Sequence, residues 1–168
     1  MTTDTAGTTI PISNAEMADM LFAATQEVFT SMLGSEIRQL SEPEVNQAET
    51  FDGVLSLIGL AGAVIGNGAL TCTAEAACDL SARLLMSEFS AVDEQVLDAV
   101  GEITNMIIGG FKNLLEAHLG RLQMSIPSVI FGKNVATRNC RADVAVAVRC
   151  AFEAGELELK VRLAAARE

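Results

Sequence analysis

The sequence predicts an α+β domain in which long helices pack on a largely antiparallel β-sheet. Three observations carry that expectation. Apolar residues recur at helical spacing in three stretches, while the C-terminal part switches to period-two alternation. The order helix, strands, two helices, strands keeps the two kinds of element in blocks. Finally, 168 residues, half of them apolar, are the size of one domain with a substantial core. We expect a loose, disordered threonine-rich segment over residues 1–12 and a single domain over 13–168.

The first helix is expected over residues 14–33. Ser13 and Glu16 form a capping box, Met17, Met20, Leu21, Ala24, Val28 and Met32 recur on one face, and Gly34 suits the left-handed residue that closes a helix. Residues 36–40 can form a short strand, and residues 42–50, polar and holding Pro43, read as a mobile loop. Residues 53–72 imitate a membrane span in length and apolarity. Glycines at 53, 59, 62, 66 and 68 speak against that, since each costs a helix about 1 kcal/mol relative to alanine. Two buried strands, 51–60 and 67–73, joined by a turn over 61–66, explain the same letters better.

Thr73 then caps a helix over 74–86, and the stretch from Ser90 to Asp93 starts another that runs to His118 before Gly120 stops it. Residues 124–131 read as a strand whose Pro127, having no N–H for the ladder, marks an edge or an irregularity. Residues 143–152 and 156–163 alternate with period two around Glu153, Ala154 and Gly155, which is the pattern of an antiparallel hairpin with one buried face.

Composition removes several function classes. A net charge of −11, with only 11 Lys and Arg spread along the chain, leaves no basic face for nucleic acid. Seven Phe with no Trp or Tyr offer no stacking platform for bases or sugars. Cys72, Cys78, Cys140 and Cys150 lack CxxC spacing, and His118 is the one histidine, so a zinc site is not expected and the thiols read as free and buried or half-buried. The N-terminus lacks a basic start and an apolar stretch, so a reducing, cytoplasmic setting is expected, with no membrane insertion.

The long helix carries the informative residues. At about 100° per residue, Val96, Val100, Ile103, Ile107 and Leu114 share one side, flanked by Gly110 and Phe111, while Asp98, Glu102, Asn105, Gly109 and Lys112 run roughly opposite. The plain account of that second face is a solvated surface with incidental polar residues. Gly109 and Gly110 weaken it, because an ordinary surface helix would gain about 1 kcal/mol from alanine at each. Close packing accounts for Gly110; Gly109 would let a partner's backbone approach beside Asn105.

The run DAVGEITNMIIGG over residues 98–110 resembles the E-x-x-N signature of the CheC, CheX and FliY family of chemotaxis phosphatases. MLG at 32–34, IGLAG at 58–62 and SIPSVIFG at 125–132 resemble the CheX branch in order and spacing, so that the resemblance covers about residues 14–165. Double-motif members carry a second E-x-x-N on the first helix. Here neither Glu16 to Asp19 nor Glu27 to Thr30 ends in asparagine, and the chain is similar to the single-motif form. It departs from the family in the wholly apolar stretch 61–66, which marks either a contact surface or a buried turn, the buried turn being the reading we favour.

The resemblance implies hydrolysis of the phosphoryl-aspartate on a CheY-type response regulator receiver domain. Asn105 would position the attacking water, since a carboxamide both accepts and donates without becoming charged. Glu102, a poor general base at an ordinary pKa near about 4.3, would instead pair with a lysine of the receiver. Asp98, Gly109 and Lys112 are further candidates for partner contact. No cofactor is implied in this chain, Mg2+ would sit on the receiver, and a homodimer paired through the sheets is expected. The alternative is a noncatalytic receiver-binding or scaffold domain of the same fold.

Overall fold

In the computed structural model, which describes residues 9–40, 45–46, 48–139 and 142–167, three helices cover one face of a seven-stranded antiparallel sheet. Helix α1 (Asn14–Ser31) starts at the expected capping box: Ser13 Oγ accepts from the Glu16 N–H at 3.2 Å, and Glu16 Oε2 accepts from the Ser13 N–H at 2.9 Å. Helix α2 (Ala74–Leu85) starts at Thr73, whose hydroxyl accepts from the Ala76 N–H. Helix α3 (Glu94–Leu119) starts at Asp93, which accepts from the Val96 N–H at 2.9 Å. Its 26 residues make it about 39 Å long.

The strands are β1 (Arg38–Gln39), β2 (Ala48–Gly62), β3 (Val64–Cys72), β4 (Leu122–Met124), β5 (Ser128–Arg138), β6 (Val144–Phe152) and β7 (Gly155–Ala165). They lie in the order β1-β6-β7-β3-β2-β4, with β5 also paired to β2. The C-terminal hairpin is as expected, with Phe152 opposite Gly155. The apolar stretch 53–72 is indeed two paired strands, and no helix among the described residues is long and apolar enough to cross a membrane.

Several expectations need correction. Residues 48–50 belong to β2 rather than to a loop, while residues 41–44 and 47 lie outside the described residues. The expected turn over 61–66 is strand at both ends. Ala61 and Gly62 pair with Gln123 and Leu122, Val64 and Ile65 pair with Ala165 and Ala164, and the tip splays between two neighbours. Val64 is buried but Ile65 is half exposed, so the stretch is only partly a buried one. The strand expected over 124–131 is two strands with a break at 125–127. Of the segment expected to be loose, residues 1–8 lie outside the described residues, whereas Ile10 and Ile12 pack into the core.

Helix α3 lies at the centre of that core, with Val96, Val100, Ile103, Ile107 and Phe111 fully buried. Gly68 on β3 makes its close approach possible, since a Cβ there would meet Ile108 Cδ1 at 2.6 Å. The buried stripe departs from expectation near the C-terminus, where Leu114 is 42% exposed and Leu115 is buried. The last turns lean on β4, to which Glu116 Oε1 ties them by accepting the Leu122 N–H at 2.8 Å.

The opposite sheet face is lined by Leu55, Leu57, Ala69 and Thr71 together with a charged cluster. Lys160 bonds Glu49 and also Glu158, the latter at 2.6 Å. Arg162, only 7% exposed, donates from Nη2 to the Asn46 carbonyl at 2.5 Å. Every one of these charges has a partner, as burial requires. Cys72 and Cys150 are buried free thiols whose pKa values burial pushes up to about 12, and Cys78 is half-buried. Cys140 lies outside the described residues.

Candidate active site

Periodicity places the five predicted residues on one face of α3, and their exposure follows that placement. Asp98 and Glu102 are exposed, whereas Asn105, Gly109 and Lys112 are half-buried. Buried residues occupy the other side of the helix, including Ala99, Ile103, Ile107 and Phe111. Among the described residues, no hydrogen bond or ion pair engages the side chains of Asp98, Glu102 or Asn105. The two carboxylates and the carboxamide therefore keep their hydrogen-bonding capacity for something outside the chain.

Why Asn105 is less exposed than Glu102 follows from what runs beside it. A Cβ on Gly101 would lie 3.2 Å from Val129 Cγ2 and 3.4 Å from Pro127 Cγ, and a Cβ on Gly109 would lie 3.7 Å from Met124 Cε. With Gly101 as origin, Asn105 falls at about 40° and Gly109 at about 80° around the helix, so Asn105 sits between the two contacts. The segment from Met124 to Pro127 thus runs alongside the turn that holds it. The lengths agree, because three strand residues span about 10 Å and eight helix residues about 12 Å. Glu102, at about 100°, lies further from the strand and closer to open solvent.

That segment is a bulge. Leu60 pairs with Met124 and Leu57 with Ser128, so Ile58 and Gly59 on β2 face Ser125, Ile126 and Pro127, one residue more. Ser125 braces it. Its N–H donates to the Gly59 carbonyl at 2.9 Å, its Oγ accepts from the Gly59 N–H at 2.8 Å, and the same Oγ donates to the Ile126 carbonyl at 2.9 Å. Pro127 supplies a fixed φ and needs no ladder donor. The sequence reading identified the irregularity at Pro127 but not its position beside Asn105, which depends on register with β2.

Two candidate residues look different in three dimensions. Lys112 Nζ is bonded to Glu116 Oε1 at 2.9 Å, in the same cluster that holds the Leu122 N–H. The Leu122 N–H and then the Lys112 ammonium hold the Glu116 carboxyl below its ordinary pKa. The spacing of four residues was the available signal for this pair. Gly109 is not required by packing, since 3.7 Å to Met124 Cε is ordinary contact, and Gly110 meets Ala24 Cβ at an equally ordinary 3.5 Å. The helix glycine with the tightest surroundings is Gly101, where a Cβ would press Val129 Cγ2 at 3.2 Å.

No group of three or more His, Cys, Asp or Glu among the described residues could hold a metal ion. The chain is 27% identical over 128 residues to the CheY-P phosphatase CheX of Thermotoga maritima, covering 75% of this chain and 82% of that one. The crystal structure of chemotaxis protein CheX from Desulfovibrio desulfuricans superposes with a TM-score of 0.78 at 25% identity, over 88% of this chain and 99% of that one. The CheX-CheY-BeF3-Mg2+ complex from Borrelia burgdorferi shares the fold, with a TM-score of 0.65 at 21% identity over 87% of this chain and 96% of that one. The family model for chemotaxis phosphatase CheX matches residues 54–151, from the middle of β2 through α2 and α3 to β6, and on that match the chain belongs to the CheX family.

Proposed function

We propose that this chain dephosphorylates the phosphoaspartate of a CheY-type receiver domain, with Asn105 positioning the water and Glu102 docking a receiver lysine. The observation that carries the proposal is the free pair Glu102 and Asn105, one turn apart on α3 beside a braced bulge. An acyl phosphate is already activated, so the catalyst has little to do beyond holding water in line with the leaving carboxylate. The water oxygen bonds to phosphorus as the bond to the aspartyl oxygen breaks, and the products are the free carboxylate and inorganic phosphate. Asn105 suits this step because its carbonyl accepts from the water while its NH2 can donate to a phosphoryl oxygen.

Glu102 is exposed and has no side-chain partner among the described residues, which supports a role in meeting an ammonium group of the receiver. Asp98, one turn earlier on the same face, adds negative charge there. The relative solved with CheY carries Mg2+ in that complex, and we assign the ion to the receiver in this system as well. The cytoplasm, where receivers reside, is the setting this reading requires. Pairing of two copies through the sheets belongs to the same reading and is tested by light scattering.

The experiment is the decay of 32P-labelled phosphate on a CheY-type receiver. Wild-type protein is expected to shorten the half-life, and Asn105→Ala to bind the phosphorylated receiver while leaving its half-life at the unassisted value. A complex formed by wild type with no change in half-life would instead identify a noncatalytic receiver-binding protein.

A further inference from the structure

Ile126 has no role in the mechanism above, and the fold does not need it exposed. It is 86% accessible, although it is a large aliphatic residue in a chain that buries most of its others. Strand alternation would bury or half-bury every second residue of this edge; Leu122, Met124, Pro127 and Val129 do turn inward to some degree. The extra residue of the bulge interrupts the alternation and leaves Ile126 outside. Its backbone is nevertheless held, by Ser125 Oγ on its carbonyl and by the fixed φ of Pro127 immediately after it. A mobile loop could withdraw an apolar side chain from water. This one is kept in place.

Position gives the exposure a meaning. Met124 and Pro127 lie beside α3 at Gly109 and Gly101, the positions that flank Asn105, so Ile126, between them in the chain, belongs to the segment that runs along the turn carrying the candidate catalytic pair. We infer that Ile126 is an apolar anchor for the receiver domain: a docking residue seated against the partner's surface while Glu102 pairs with its lysine and Asn105 reaches the phosphoryl group. The inference rests on the receiver-phosphatase reading and deepens it. The face is otherwise acidic and polar, with Asp98 and Glu102 exposed, and charged pairs at a rim contribute little affinity by themselves. A single rigid aliphatic residue beside them is the kind of contact that carries binding energy, because it is already ordered before the partner arrives.

The test is saturation kinetics of dephosphorylation, using a CheY-type receiver labelled from 32P-acetyl phosphate, with Ile126→Ser, Ile126→Val and Asn105→Ala compared with wild type. Ile126→Ser is expected to raise KM about thirtyfold with kcat within about twofold of wild type, the size of a hot-spot loss. Ile126→Val should restore most of the affinity. Circular dichroism should not distinguish either variant from wild type. An unchanged KM in Ile126→Ser, with turnover lost in Asn105→Ala, overturns the anchor and leaves the phosphatase reading standing. A shift in oligomeric state with KM unchanged would assign Ile126 to contact between copies, and also overturns it. No acceleration of dephosphorylation by wild-type protein removes the phosphatase reading, and the anchor with it.

Discussion

The outer face of α3 and the far face of the sheet are both polar, yet they treat polar groups in opposite ways. On the sheet, Lys160 is held between Glu49 and Glu158, and the buried Arg162 donates to the Asn46 carbonyl. On α3, the side chains of Asp98, Glu102 and Asn105 have no partner in the chain among the described residues. A charge that is satisfied internally contributes to the fold and has little left to offer a ligand. A set that is unsatisfied and accessible costs the fold almost nothing and is free to bind. Counting polar residues would not have separated these regions; asking what each one bonds does.

The comparison predicts that the two faces respond differently to mutation. The largest effect on stability belongs to the sheet. Lys160→Met strands two carboxylates that are mostly shielded from water, and should lower the unfolding free energy by about 2 kcal/mol in urea titration, with kcat of the folded protein unchanged. Next comes Gly109→Ala, which has room for its methyl at 3.7 Å from Met124 Cε. It should raise stability by about 0.8 kcal/mol through helix propensity, measured by thermal melting. If it also weakens receiver binding, the glycine is there for the partner. Glu102→Gln and Asn105→Ala should shift stability by no more than about 0.5 kcal/mol, as expected of side chains that no hydrogen bond or ion pair among the described residues engages.

The smallest effect is in acid. The Glu116 carboxyl is held below its ordinary pKa by the Leu122 N–H and then by Lys112, and that of Glu16 by the backbone and then the hydroxyl of Ser13. A depressed folded-state pKa means stability that is present above the unfolded value, near 4.5, and lost as pH falls through the lower folded values. Glu116→Gln should therefore flatten the decline of stability below about pH 4.5 and leave neutral pH kinetics unaltered. An acid limb of the same depth in the variant would show that the staple between α3 and β4 is not felt.

How much of this was legible in the sequence depended on how local the cause was. Helix starts were readable because a cap and its target are three residues apart, as at Ser13 with Glu16 and Asp93 with Val96. The face of α3 was readable because periodicity alone places Glu102 and Asn105 together. Strand ends were not. Ala61 and Gly62 are strand because Gln123 and Leu122 pair with them, and Val64 and Ile65 because of the C-terminal strand, partners distant in sequence. The same limit hid Ile126, whose exposure follows from one residue's difference in register between β2 and the segment 124–128. The engagement of Lys112 was visible in its spacing from Glu116, yet its tie to β4 was not. Leu114 and Leu115 exchange roles because the buried face drifts along α3, from Val96 and Val100 to Ile108, Phe111 and Leu115, which a fixed stripe does not encode.

The division of labour between Glu102 and Asn105 is the central claim, and a side-by-side measurement of kcat and KM for Glu102→Gln and Asn105→Ala on a phosphorylated CheY-type receiver tests it most directly. The account predicts a raised KM with kcat largely retained in Glu102→Gln, and kcat reduced to the receiver's own rate with binding retained in Asn105→Ala. Loss of kcat in Glu102→Gln together with normal turnover in Asn105→Ala would contradict it.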